Sequence, residues 1–186
     1  MSLVTRRTPI TLVSTAARTA AGSVTVGSWG PPPVTPALFT STSRRPARSS
    51  ISRAAVETNV IGVVRVTNAM LPLLRRAASP RIVNMSSSVG SLTRQTDPGA
   101  ETGPLSVAYS PSKTMLNAVT IQYAKELRDT NILINAACPG YTATDLNNFR
   151  GVRTPEQGAA IAIRLSTLPD DGPTGGFFED AGVVPW

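Results

Sequence analysis

A tyrosine and a lysine stand four residues apart in this chain, at positions 109 and 113 of the stretch Tyr-Ser-Pro-Ser-Lys. If that stretch is helical, the two side chains share one helix face. A nearby positive charge favours a phenolate, so we expect Lys113 to lower the pKa of Tyr109 from its reference of about 10. The chain contains no histidine. This pair could therefore exchange a proton with a hydroxyl group near neutral pH.

Two predicted strands flank this pair. Residues 81–86 are an apolar run that breaks into a serine-rich loop, and residues 132–137 are a second run that Pro139-Gly140 ends. Apolar residues near helical spacing predict a helix over 107–130 between them. Strand, loop, helix, strand is the order of a right-handed crossover between parallel strands, with chemistry at their carboxyl ends. We therefore expect Ser87, Tyr109 and Thr144 to approach one crevice.

Several spaced motifs give residues 54–186 a resemblance to the C-terminal half of the short-chain dehydrogenase/reductase family, in its carbonyl-reductase-like branch. They are Thr58-Asn59-Val60-Ile61-Gly62, Leu71-Pro72-Leu73-Leu74, Ile82-Val83-Asn84-Met85-Ser86-Ser87, the Tyr109/Lys113 pair, Cys138-Pro139-Gly140-Tyr141-Thr142-Ala143-Thr144-Asp145 and Gly172-Pro173-Thr174-Gly175-Gly176-Phe177-Phe178. The resemblance implies an α/β fold, namely an incomplete Rossmann-like, doubly wound parallel sheet. Its first strands would be missing, and a low-complexity segment would precede it.

The resemblance also implies a catalytic role for four residues. Tyr109 would be the general acid/base that exchanges a proton with the substrate oxygen. Lys113 would lower the pKa of Tyr109 and hold the nicotinamide ribose. Ser87 would hydrogen-bond the reacting carbonyl or hydroxyl, with Ser88 as the alternative one position on. Asn59 would hold a water for proton relay behind Lys113.

A cofactor site is implied in the same way. Its residues would be Lys113, Tyr109, Pro139, Gly140, Thr142 and Thr144, and no metal ligand is expected. The implied activity is an NADP- or NAD-dependent oxidoreductase that interconverts a small-molecule carbonyl and a secondary alcohol. The alternative is a non-catalytic member of the family that acts only by association with an intact homologue. Neither the substrate nor the choice between NAD and NADP follows from the sequence.

Residues 1–53 differ in composition from the rest of the chain. They hold seven arginines, eighteen Ser or Thr, six prolines and no Lys, Asp or Glu, whereas residues 54–186 hold eleven basic and eleven acidic side chains. The formal net charge of +7 therefore comes from the first segment. We expect a domain boundary at 53/54, with a poorly ordered basic segment before it. Its arginines are not interleaved with aromatic residues, so no nucleic-acid partner is expected.

The first segment also lacks the glycine turn that the family uses for the cofactor pyrophosphate. Gly22, Gly27 and Gly30 do not have the Thr-Gly-x-x-x-Gly-x-Gly spacing, so we expect impaired cofactor binding. A truncated or frame-shifted reading frame, an organellar transit peptide, or a partner-binding arm would each explain the segment. Residues 11–14 and 24–26 are candidate short strands. Without further strands, the edge of the strand at 81–86 is expected to be unpaired.

The remaining expectations concern location, assembly and the substrate side. No apolar run reaches the roughly eighteen residues of a membrane span, so a cytoplasmic protein without a membrane partner is expected, with an organelle as the alternative. One cysteine, Cys138, excludes an internal disulfide. The family resemblance implies a homodimer through helices 54–78 and 107–130, although the long loop before Tyr109 is also found in monomeric members. Residues 141–152 would form a substrate lid, followed by a helix over 153–168.

Overall fold

A five-stranded sheet flanked by helices organises the residues that the computed structural model describes, which are 11–14, 48–100, 103 and 106–186. The strands lie in chain order across the sheet, and the first four are parallel, whereas the last is antiparallel to its neighbour. They are β1 (Thr11–Ser14), β2 (Arg81–Met85), β3 (Leu133–Ala137), β4 (Phe177–Glu179) and β5 (Gly182–Val183). The predicted α/β, Rossmann-like class is confirmed.

Five α-helices connect or cover these strands in the described part of the chain. They are α1 (Arg48–Val56), α2 (Gly62–Leu74), α3 (Leu92–Thr96), α4 (Tyr109–Glu126) and α5 (Pro155–Ser166). The one helix expected over 54–78 begins earlier, at Arg48, and a π-helical turn at Glu57–Ile61 separates its two parts. Helix α5 has the expected start, because Thr154 Oγ1 accepts a hydrogen bond from the Gln157 N–H and Pro155 follows the cap.

The sheet buries apolar side chains on both faces. One face of the sheet packs against Leu74 at the end of α2 and Leu127 at the end of α4. The strand residues on this face are Leu12, Ile82 and Ile134. On the other face Val83 and Ala137 pack against α5, through residues that include Ile161 and Leu165. A sheet covered by helices on both faces accounts for the continuous apolar runs of β2 and β3.

The expectation that the edge of β2 is unpaired is wrong. Strand β1 pairs with it in parallel, with Leu12 opposite Ile82 and Val13 opposite Val83. Leu12 is 6% exposed and joins the core. A short Thr-Leu-Val-Ser run therefore supplies the hydrogen-bonding partner that β2 needs. The other candidate strand, at 24–26, lies outside the described residues.

The buried face of α4 is more polar than its apolar spacing predicts. Val107 and Met115, which belong to the predicted apolar pattern, are exposed, whereas Ser112, Lys113, Asn117 and Thr120 are buried with Leu116 and Tyr123. The reason is that this helix packs on the carboxyl end of β2 partly through hydrogen bonds. Asn84 Nδ2, for example, donates to Thr120 Oγ1 over 2.9 Å.

Across the described residues, no helix combines the length and apolar character needed to cross a membrane.

Candidate active site

The serine-rich loop begins where β2 ends. The Ser86 N–H donates to the Ala137 carbonyl over 2.7 Å, which continues the pairing of β2 with β3. Ser87 is then extended, with φ −159° and ψ 146°, and a 3-10 turn follows at Ser88–Gly90. The Ser88 N–H donates to Cys138 Sγ over 3.2 Å. The loop is therefore held beside the first residue after β3, at the carboxyl end of the sheet.

Tyr109 is the first residue of α4 and lies against this loop. Its side chain lies near that of Ser87, which lowers the pKa of the phenol, and its N–H donates to Ser106 Oγ over 3.0 Å. Pro111 falls in the first turn of the helix, where its missing N–H leaves no intrahelical bond unmade. The structure thus places Ser87 near Tyr109, whereas Ser88 bonds Cys138 through its N–H.

The pKa of Tyr109 is raised, which corrects the expectation of a lowered value. Burial of the phenol is the larger cause, and the Ser87 side chain acts in the opposite direction. Lys113 Nζ lies over the ring, 5.5 Å from its centroid, and donates to the Met85 carbonyl over 2.7 Å. The ammonium is therefore close to the ring but bound to the strand end, and burial of the phenol decides the direction.

Lys113 is itself buried, with 2% of the residue exposed. Desolvation lowers its pKa to about 8, and the neighbouring Cys138 acts weakly in the other direction. At neutral pH the group is still mainly an ammonium. The site therefore holds one buried cation beside a neutral phenol.

Asn59 lies one step behind this group, in the π-helical turn. Its Nδ2 donates to Ser112 Oγ over 2.8 Å, and Ser112 Oγ donates to the Tyr109 carbonyl over 2.7 Å. The amide predicted to hold a water behind Lys113 is thus bound to the first turn of α4. Single π-helical turns within α-helices are frequent at functional sites.

The segment after β3 carries the remaining predicted cofactor residues. Gly140 adopts φ +71°, and a Cβ there would come within 2.7 Å of Arg153 Cδ. Thr142 Oγ1 donates to the Pro139 carbonyl over 3.1 Å, and Thr144 caps the 3-10 turn at Asp145–Asn147. These polar side chains stabilise the segment itself, and none of their recorded hydrogen bonds within the described residues reaches Tyr109. The proposed lid residues Tyr141, Leu146 and Phe149 are exposed.

Two polar residues of this site were not singled out from the sequence. Ser112 links Asn59 to the Tyr109 carbonyl. Asn117 accepts a hydrogen bond from Ser86 Oγ and donates one from Nδ2 to the Gly90 carbonyl over 3.2 Å. The available signal was their spacing, because Lys113 and Asn117 are four residues apart and share a face of α4.

In open parallel α/β sheets, ligands bind in the crevice at the carboxyl ends of the strands, which is where the structure places Ser87, Tyr109 and Lys113. The family model described as short chain dehydrogenase matches residues 40–153. The chain therefore belongs to the short-chain dehydrogenase/reductase family. The match begins before the boundary predicted at 53/54.

Individual relatives agree with this membership. The chain is 35% identical over 170 residues to short-chain dehydrogenase/reductase 1 of Saponaria officinalis, covering 73% of this chain and 56% of the relative. The structure of carbonyl reductase Sniffer of D. melanogaster superposes with a TM-score of 0.63 at 27% identity, over 80% of this chain and 63% of that one.

An NADPH-bound carbonyl reductase from chicken fatty liver has a TM-score of 0.60 and 26% identity, over 74% of this chain and 57% of that one. The chain spans about half the length of the first curated relatives that it matches.

The family implies a nicotinamide dinucleotide, and the described residues fit one end of it. The donor set of Lys113, Tyr109 and Ser87 is made of hydroxyls and one cation, and Gly140, with φ +71°, lets the backbone turn after β3. These are groups suited to a ribose and a carboxamide. The residues that follow β1 lie outside the described residues.

Proposed function

We propose that this chain is a nicotinamide-dependent oxidoreductase that interconverts a small carbonyl compound and its secondary alcohol, and that its cofactor binding is impaired because residues 1–53 lack the family's glycine turn. The observation that supports this most directly is the closeness of the Ser87 side chain to the Tyr109 phenol, beside the buried ammonium of Lys113. Relatives that include carbonyl reductases favour the same chemistry. The carbonyl reductase from chicken fatty liver is NADPH-bound, and we propose NADPH as the cofactor here as well.

The raised pKa of Tyr109 favours its action as a proton donor in carbonyl reduction. A phenol that stays protonated at neutral pH can donate to the substrate oxygen while Ser87 hydrogen-bonds the same oxygen. The phenolate that is left would be stabilised by the Lys113 charge, because opposite charges attract strongly at a buried site. When bound, the nicotinamide supplies the hydride. Lys113, Tyr109 and residues 139–144 would hold it.

A second candidate is a non-catalytic role, in which the chain pairs with an intact homologue or with a second copy. The surface predicted for such pairing is formed by helices 54–78 and 107–130, which correspond to α1, α2 and α4. Ile61 and Met115 are exposed there.

Titration of the whole chain with NADPH and with NADH, followed by nucleotide fluorescence, separates the two candidates. Saturable NADPH binding, together with reduction of an aromatic ketone that Tyr109→Phe abolishes, is expected for the oxidoreductase. The Tyr109→Phe chain should still bind NADPH, because the substitution removes only the hydroxyl. Absence of both binding and turnover would refute the enzyme, and co-purification with a full-length reductase would then favour the second candidate.

A further inference from the structure

We propose that Asn117 is a positioning residue that fixes the Ser87 loop, defined as residues 87–89, against Tyr109 by binding both ends of the loop. The inference rests on the proposed function, because it concerns the two hydroxyls that would meet the substrate oxygen. Its spacing from Lys113 places Asn117 on the same face of α4 but gives it no partner. The evidence lies in its contacts.

Both halves of the Asn117 amide are engaged with the residues that flank the loop. Ser86, immediately before the loop, donates from Oγ to Asn117 Oδ1. Asn117 Nδ2 donates to the carbonyl of Gly90, immediately after the loop, over 3.2 Å. Asn117 is 4% exposed and Ser86 is 3% exposed. A buried amide has no water to replace a lost partner, so this geometry is strongly favoured.

The far end of the loop lies directly on the backbone of α4. A Cβ on Gly90 would come within 2.8 Å of both the carbonyl carbon and Cβ of Lys113. Thr114 Oγ1 also donates to the Gly90 carbonyl, over 3.0 Å. Glycine at this position therefore permits the close approach that brings the carbonyl within reach of Asn117.

In this arrangement, helix α4 positions both Ser87 and Tyr109. Tyr109 begins α4, and Asn117 lies about two turns further along the same helix. The loop position is thus set by α4 as well as by β2, whose carboxyl end leads into it. Because proton transfer needs reacting atoms held within fractions of an ångström, a clamp of this kind would act on catalysis through Ser87 without touching the substrate.

The test is a near-ultraviolet titration of Tyr109. The chain has three tyrosines, so Tyr123→Phe and Tyr141→Phe together leave Tyr109 as the tyrosine that ionises. In this background, Ser87→Ala should raise the measured pKa of Tyr109, because the effect of the Ser87 hydroxyl is lost. The size of that increase is the reference for the other variants. Asn117→Ala should also raise the pKa of Tyr109, by an amount no larger than the increase that Ser87→Ala causes. Combining both substitutions should add no shift beyond that of Ser87→Ala alone.

Two further variants separate positioning from general support of the fold. Ser86→Ala removes one end of the clamp with a minimal change in volume, and should also raise the Tyr109 pKa. Thr120→Val is the matched control, because Thr120 is buried on the same helix and bonds Asn84 of β2 but does not touch the loop. It should lower stability to urea and leave the titration unchanged.

The outcomes distinguish this inference from the proposed function. If Ser87→Ala shifts the titration while Asn117→Ala and Ser86→Ala both leave it in place, the positioning role is refuted and the proposed function stands. If Ser87→Ala itself has no effect, the pair of hydroxyls is absent in solution, and both proposals fail. Additive shifts in the double variant would also contradict the clamp.

Discussion

At the scale of single residues, the chemistry depends on two opposed effects at Tyr109. Burial raises its pKa, and the Ser87 side chain lowers it. Lys113 has its pKa lowered to about 8, so on raising the pH this ammonium loses its proton before the phenol does. A protonated phenol beside a protonated lysine is thus the dominant state at neutral pH, and it suits proton donation better than proton abstraction.

Replacement of Lys113 by methionine should change how stability depends on pH. A lowered pKa in the folded state means that the unfolded chain binds more protons between about pH 8 and 10.5, so the wild-type protein gains stability as pH rises through that window. Relative to Lys113→Met, the gain should be about 2–3 kcal/mol between about pH 7 and pH 10. Urea unfolding of both proteins at each pH measures it.

The control for this experiment is the chain's other lysine, Lys125, which is exposed on the same helix. Replacement of Lys125 by methionine should leave the pH dependence of the free energy of unfolding the same as in the wild-type protein. Parallel curves for the wild-type protein and Lys113→Met would show that Lys113 is solvated, contrary to the structure.

At the scale of elements, α4 is held by hydrogen bonds from two directions. The carboxyl end of β2 binds one part of its buried face, and the π-helical turn binds its first turn through Asn59 and Ser112. The first contact fixes the helix along the sheet, and the second fixes the turn that carries Tyr109. A helix with a purely apolar face would not specify its position along the strand so closely.

Asn59 and Ser112 should therefore behave as a coupled pair. Asn59→Ala and Ser112→Ala each break the same buried hydrogen bond, so their effects on the free energy of unfolding should not add. We expect a coupling energy of about 1 kcal/mol from urea unfolding of the two single variants, the double variant and the wild type. Strict additivity would mean that the bond between the two side chains does not form.

The close approach of the Ser87 loop to α4 predicts a second effect at this scale. Gly90→Ala would place a Cβ against backbone atoms of Lys113, and it should destabilise the protein by about 1–3 kcal/mol. Gly99→Ala is a matched control, since a Cβ added at Gly99 would come no closer than 3.5 Å to the Asp97 side chain. Equal urea midpoints for the two variants would argue against tight packing at Gly90.

At the scale of the whole molecule, the sheet depends on a strand from the basic N-terminal segment. Strand β1 covers the edge of β2, and Thr11 Oγ1 donates to the Ser166 carbonyl at the end of α5 over 3.4 Å. Residues on both sides of the predicted boundary at 53/54 thus contribute to one sheet. A contribution of this kind needs few residues, because a parallel strand of four can complete the hydrogen bonding of its neighbour.

Substitution of Leu12 tests that contribution. Leu12→Ala removes a core side chain packed with Leu74 and Ile82, and should lower the free energy of unfolding by about 2–5 kcal/mol. Val13 is 40% exposed on the same strand, so Val13→Ala should cost clearly less. Thermal unfolding of both variants gives the comparison. A small effect at Leu12 would mean that β1 does not pair stably with β2.

Local patterns in the sequence were sufficient for the order of strands and helices on both sides of Tyr109 and for the family. Apolar runs, proline and glycine breaks, and the spacing of Tyr109 and Lys113 act within a few residues of one another, and can therefore be interpreted along the chain. The same patterns predicted α5 from its cap at Thr154.

Only the tertiary structure decided what those residues do to each other. The direction of the Tyr109 pKa, the partner of Asn59, the polar face of α4 and the strand beside β2 all depend on contacts between residues distant in sequence. Burial and hydrogen-bond geometry arise when separate elements pack together, and a linear pattern of residue types does not contain that information.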